Sequence, residues 1–175
     1  MTTDLRYPIG RFTYERPYTE QERADRISEI EQLPLEFRHA FEALHEGELD
    51  TPYRPGGWTA RQLVHHLPES HMNSYIRFKL AMTESEPTVK RYDEGLWAIQ
   101  PDVATTPLEV SLKLLEALHA RWVPFLRAMR PEDWGRRFRH PEDGLLTLDR
   151  TVGYYAWHGR HHTAHLQLIR SAGAL

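Results

Sequence analysis

Residues 149–171 read DRTVGYYAWHGRHHTAHLQLIRS, with four histidines at His158, His161, His162 and His165. The segment carries no proline and its apolar residues recur at helical spacing, which predicts a helix of about six turns. At 100° per residue, His158, His162 and His165 share a sector with Thr151, Tyr155, Leu166 and Ile169, opposite Arg160 and Gln167. The histidine row therefore faces the interior of whatever this helix packs against. Residues four apart lie on one face with Cβ atoms ~5–6 Å apart, so His158 and His162 can reach one ion placed above the helix. His161 falls to one side, near Trp157 and Leu168.

Working back along the chain, three more helices carry start signals. Thr19 and Glu22 have capping-box spacing, followed by Ile27, Ile30, Leu33, Phe37, Phe41 and Leu44 at helical period. Pro34 is expected to kink or divide that helix and Gly47 to stop it. Thr59 and Gln62 open a second helix that runs to about Met82. Thr106, Pro107 and Glu109 announce a third, with apolar positions Leu108, Leu112, Leu115, Leu118, Trp122 and Met129 and a bend at Pro124. The helix over 149–171 is the fourth, closed by Gly173. Before the first helix, YPIGRFTYERPYT reads as an ordered extended arm; before the last, RRFRHPEDGLLTL reads as a short hairpin too small to seed a sheet. The expectation is one all-α domain over 1–175, an up-and-down four-helix bundle with an N-terminal arm and a hairpin-like insertion.

The second helix supplies a partner for the histidine row. Ala60, Leu63, Val64, Leu67, Ser74 and Phe78 form an apolar or small face, while His66, Ser70, Asn73 and Arg77 form a polar stripe beside it. A polar stripe bounded by apolar residues predicts a wet cleft between helices. His65 projects with Arg61 and Lys79, a solvent-like neighbourhood, so His66 is the better third ligand. The expected site is one divalent metal on His66, His158 and His162. Ser70, Asn73 and Arg77 read equally as an interhelical hydrogen-bond network or as substrate contacts. Tyr155 and the tryptophans Trp58, Trp97, Trp122, Trp134 and Trp157 read as packing residues.

The whole-chain numbers narrow the chemistry. The 175 residues carry a net charge of −3 and no cysteine. No basic footprint points to nucleic acid, no apolar run approaches the ~20 residues of a membrane span, and thiolate ligands are excluded. The opening residues lack the pattern of a signal peptide, so the cytoplasm is the expected compartment. Three neutral imidazoles leave the fourth position of an ion open, the pattern of a catalytic rather than a closed site. Imidazole ligands suit zinc, nickel, copper and iron alike.

RPGGWTARQLVHHLPESHMNSYIRFKLAMTE (residues 54–84) together with YAWHGRHHTAHLQLIR (155–170) resembles the YfiT-like branch of the DinB superfamily. The resemblance implies a four-helix bundle with a metal on three histidines, which fall on His66, His158 and His162 here. Zinc is the expected ion, on availability and on the description of the family, with nickel also suited to imidazole ligands, and the resemblance implies a homodimer. Members are described as metal-dependent hydrolases, and related ones as transferases or isomerases that use low-molecular-weight thiols such as bacillithiol or mycothiol. One departure is Pro68, two residues after His66, where a bend is expected to re-aim that ligand.

An open three-histidine site allows three functions. The first is transfer of a small-molecule thiol to an electrophilic substrate, favoured because no HExxH-type base is present. Metal-dependent hydrolysis is the second, and a non-catalytic metal-binding stress protein the third. Glu69, Asn73 and Arg77 are the candidate groups around the metal. Glu69 is the nearest carboxylate in sequence but is turned about 60° from His66, so it would act only from behind the ligands. Asn73 and Arg77 are the candidates for orienting the thiol. The connection between Met82 and Thr106 is expected to shape the substrate site.

Overall fold

The computed structural model describes residues 4–173, with side chains to Ser171. Four long helices, α1 (Glu20–Glu42), α2 (Ala60–Thr83), α5 (Leu108–Arg127) and α6 (Leu148–Gly173), make the four-helix bundle expected from the sequence. Two short helices, α3 (Glu94–Trp97) and α4 (Pro101–Thr105), interrupt the long connection, and the hairpin pairs β1 (Arg137–His140) with β2 (Gly144–Thr147). Among the described residues no helix is long and apolar enough to cross a membrane.

The caps decide where most helices begin. Thr19 and Thr59 both close complete capping boxes, with Glu22 and Gln62 respectively. The third expected start behaves otherwise: Thr106 ends α4, Pro107 caps α5 without a side-chain bond, and Glu109 reaches instead to Arg38 of α1 at 2.8 Å. Met129 falls outside α5. Pro34 and Pro68 sit inside unbroken helices, and α1 stops at Glu42, ahead of Gly47. Helix α6 extends to Gly173, at the edge of the described residues.

The order of the helices is not sequential. α1 packs against α5 and α6, and α2 packs against the same two, so the order around the bundle is α1, α5, α2, α6. The connections over 43–59 and 128–147, which join the diagonal pairs α1–α2 and α5–α6, are long enough to permit that placement, which short loops would forbid. At Gly159 an added Cβ would lie 2.2 Å from Leu33, so the glycine sets how closely α6 approaches α1.

The core is split in two. One apolar cluster joins Ile30, Phe78, Trp122 and Tyr155; the other joins Leu33, Leu67, Leu115 and Leu166. Between these levels in the helices stand His71, His119, His158 and His162, all buried. A layer of imidazoles thus separates two hydrophobic halves.

The arm lies along α6. Gly10 accepts from the Trp157 indole at 3.2 Å, and Phe12 meets Tyr154 edge-on. The buried Asp149 carboxylate accepts from Tyr14 Oη, from the Tyr18 backbone and from Arg23 Nε, each at 2.8 Å. It thereby ties arm, α1 and α6 together. Asp149→Ala would leave the Arg23 guanidinium and two further donors without their acceptor, at an expected cost of about 3 kcal/mol. Thermal melting of the variant checks this; an unchanged Tm would show the clip to be ornamental.

Candidate metal centre

His66 on α2 and His158 and His162 on α6 bring one ring nitrogen each within 4.8 Å of one another. All three rings are buried. Burial pushes the His66 imidazole down to about 3 and holds His158 and His162 well below the ordinary histidine range, with neighbouring imidazoles adding to the effect. The three rings are therefore neutral at physiological pH and offer lone pairs. Pro68 leaves α2 continuous, and His66 remains in reach of the other two.

The nitrogen orientations fit a cation. His158 Nε2 and His162 Nε2 face each other at 3.1 Å. On their far sides, His158 Nδ1 lies 3.3 Å from His71 Nε2, and His162 Nδ1 lies 3.3 Å from His165 Nδ1. A neutral imidazole has one N–H and one lone pair. Where the far nitrogens donate outward, two lone pairs confront each other, an arrangement that a bound cation stabilises. His66 carries a buried Nδ1 with no hydrogen-bond partner. The donor set, uncharged nitrogen only, suits zinc, nickel or another borderline divalent ion.

His161, His162 and His165 form a second group within the same reach. His162 belongs to both groups and has one lone pair to give, so the two are alternatives. With Nε2 turned to His158, its Nδ1 is left for His165, whose ring stacks under Tyr53 at 3.8 Å. His165 is thus placed to hold His162. His161 stacks on Trp157 at 4.5 Å.

The three candidate ligands line one wall of a cavity of about 500 Å³. Ser70 and Arg77 of the α2 stripe line it too, as the stripe predicted. Asn73 is otherwise engaged, donating to the Glu69 carbonyl at 2.9 Å. Neither Asn73 nor Glu69 is among the lining residues, although burial, with help from Asp102, pushes the Glu69 carboxyl up to about 7. His65 departs from its expected solvent-facing position: it is buried, and its Nδ1 lies 2.8 Å from Ser111 Oγ of α5. The physical reason is the helix order, since α2 lies between α5 and α6 and buries two flanks.

Other lining residues escaped the sequence patterns. Tyr92 and Glu94 come from the 84–107 connection, which the sequence expects to shape the site. Arg150, Tyr154 and Tyr155 lie one to two turns before His158, while His140, Glu142 and Asp143 come from the hairpin. Burial raises the Tyr92, Tyr154 and Tyr155 hydroxyls, so they stay protonated and can donate. Trp58, expected only to pack, stands on the cavity wall with its ring 4.5 Å from that of His66.

Comparison with known proteins places the chain in a family. The family described as the DinB superfamily matches residues 29–166. Proteins of Bacillus cereus strain 03BB102 and Bacillus thuringiensis subsp. konkukian, each named "Putative metal-dependent hydrolase", are 56% identical over 167 residues, covering 95% of this chain and 96% of theirs. The solved structure of YfiT from Bacillus subtilis, described as a "probable metal-dependent hydrolase with an unusual four-helix bundle topology", superposes with a TM-score of 0.93 at 42% identity. That match covers 98% of this chain and 99% of YfiT.

Proposed function

The chain belongs to the DinB superfamily, and on that premise we propose that it is a metal-dependent enzyme that transfers a small-molecule thiol to an electrophilic substrate. The observation that carries the proposal is the convergence of three neutral imidazoles on the wall of a cavity far larger than water needs. A divalent ion held there would supply a Lewis acid that lowers the pKa of a thiol or water. The chain has no cysteine of its own, so any sulfur nucleophile arrives as substrate.

The cavity suits such a molecule. Its lining carries the guanidinium groups of Arg77 and Arg150 and the carboxylates of Glu94, Glu142 and Asp143. Both signs of charge are available to orient a zwitterionic thiol, and the protonated tyrosines add donors. Trp58 and Phe138 add apolar surface to the cavity wall. In the reaction the thiol loses its proton to solvent, its sulfur forms the bond to carbon, and the leaving group departs with the bonding electrons.

Hydrolysis is the second reading, favoured by the names of the relatives. It needs a base for the water proton; Glu69, the carboxylate nearest His66 in sequence, is not on the cavity wall, and the carboxylates that are there, Glu94, Glu142 and Asp143, come from the 84–107 connection and the hairpin. Among the described residues the ligand imidazoles hydrogen-bond only to other imidazoles.

The test is a screen of zinc-loaded protein with bacillithiol, mycothiol, glutathione, coenzyme A and cysteine against a chromogenic electrophile. Conjugation that prefers one thiol and is lost in His158→Ala is the expected result. Ester or amide cleavage without thiol, lost in the same variant, would assign the protein to hydrolysis. Inactivity across both panels would favour a non-catalytic metal protein. Arg77→Ala is expected to raise KM for the preferred thiol on the order of 10-fold, with a smaller change in kcat.

A further inference from the structure

His119 is a polar interruption of the buried face of α5, between Leu115 and Trp122. Its Nδ1 lies 2.6 Å from the backbone carbonyl oxygen of Ile30 in α1. That oxygen is free to accept because the residue four ahead is Pro34, which has no N–H to close the usual helical bond. The proline predicted to break α1 instead exposes one carbonyl to the core.

A carbonyl oxygen only accepts, so His119 Nδ1 carries the proton and its Nε2 keeps the lone pair. Nε2 lies 2.9 Å from His71 Nδ1, which therefore donates. His71 Nε2 is then bare and lies 3.3 Å from His158 Nδ1, which donates in turn. His158 is left with its lone pair on Nε2, the atom that faces His162 Nε2. Each assignment fixes the next, and the chain of contacts crosses all four helices of the bundle: α1, α5, α2 and α6.

We propose that His119 and His71 are positioning residues of the metal centre, and that the Ile30 carbonyl freed by Pro34 fixes, through them, the tautomer in which His158 presents Nε2 to the ion. A buried histidine with no such partner would divide its population between two tautomers, only one of which can bind. Hydrogen-bonded support of a ligand imidazole also fixes its ring orientation and raises its basicity. The inference rests on the three-histidine assignment and is independent of which reaction the metal supports.

The test compares His119→Leu, which removes both contacts at similar volume, with His119→Gln, whose amide N–C–O replaces the ring's N–C–N with one donor and one acceptor. Zinc affinity is measured by competition with a chromophoric chelator, and histidine tautomers by long-range 1H–15N spectra of the metal-free protein. His119→Leu is expected to bind zinc on the order of 10-fold more weakly and to show His158 as a tautomer mixture. His119→Gln is expected to stay near the wild type in both. Wild-type His158 protonated on Nε2 would overturn the proposal, as would a His119→Leu protein with unchanged affinity and a single His158 tautomer. A His119→Gln protein as weak as His119→Leu would also overturn it, by showing that ring packing alone matters. If His119→Leu does not fold, the wild-type spectrum and the glutamine variant still decide. Retained zinc in His158→Ala would fault the metal assignment itself, separately from the relay.

Discussion

Alanine at His158 is expected to lower zinc affinity on the order of 10²–10³-fold, because each ligand carries several kcal/mol of the total binding free energy. The same loss is expected at His162 and at His66, whose ligand nitrogens lie within the same 4.8 Å. His161→Ala is expected to leave most of the metal in place. His165→Ala is expected to weaken binding several-fold, through the loss of its contact with His162 Nδ1. Elemental analysis of the purified variants, with a chelator competition, reads these differences directly. If His161→Ala and His165→Ala emptied the protein while His158→Ala did not, the centre would be the second trio. The bundle itself does not need the ion: Phe37, Phe78 and Trp122 are fully buried in cores without metal ligands. Chelation should therefore lower the melting temperature and leave the helical signal at 25 °C intact. An ion present at 100 times its Kd stabilises the native state by about 2.7 kcal/mol.

How much of this centre can be read in the sequence depends on what each pattern encodes. Capping boxes at Thr19 and Thr59 are local devices, and both form as their spacing predicts. Helical periodicity gives the direction of a side chain, which is why His66, His158 and His162 can be brought together before any fold is known. It does not say which helix stands in that direction. A single helix wheel assigns α2 one buried face and turns His65 to solvent, whereas α5 and α6 bury two faces. His119 had a signal that periodicity does supply: it falls in step with Leu108, Leu112, Leu115, Trp122 and Leu126, the buried row of α5. A polar residue in step with such a row requires a partner. Pro34 is the opposite case. Its cost to the helix is legible, but its use, a carbonyl turned to His119, exists only once α1 and α5 are neighbours.

The metal-free protein is expected to unfold cooperatively on acidification, between about pH 6 and 5. Burial holds His66 at about 3 and His119, His161 and His165 at about 4, all below the ordinary value near 6.5. His71, His158 and His162 are lowered as well. The sign depends on which state holds more protons. Below pH 6.5 the unfolded chain takes up protons that the folded core refuses, so stability is complete above that pH and is lost as the pH falls toward the folded values. Each ring contributes about 1.4 kcal/mol per pH unit over this window, so the first four alone contribute about 5 kcal/mol per unit. A single domain has about 5–15 kcal/mol in total. Glu69, raised to about 7, works the other way, but it is one group against at least four. Protons cannot enter the folded cluster one after another without cost, since a charge on one ring lowers its neighbours further; this makes the transition steep. With zinc bound, protons must also displace the ion, so the midpoint moves to lower pH and becomes dependent on zinc concentration. Far-UV circular dichroism against pH, with and without zinc, measures both shifts. A metal-free protein that kept its full helical signal at pH 4 would show that the imidazole layer accepts protons in the folded state, and a closed, neutral network of histidines would be the wrong account of it.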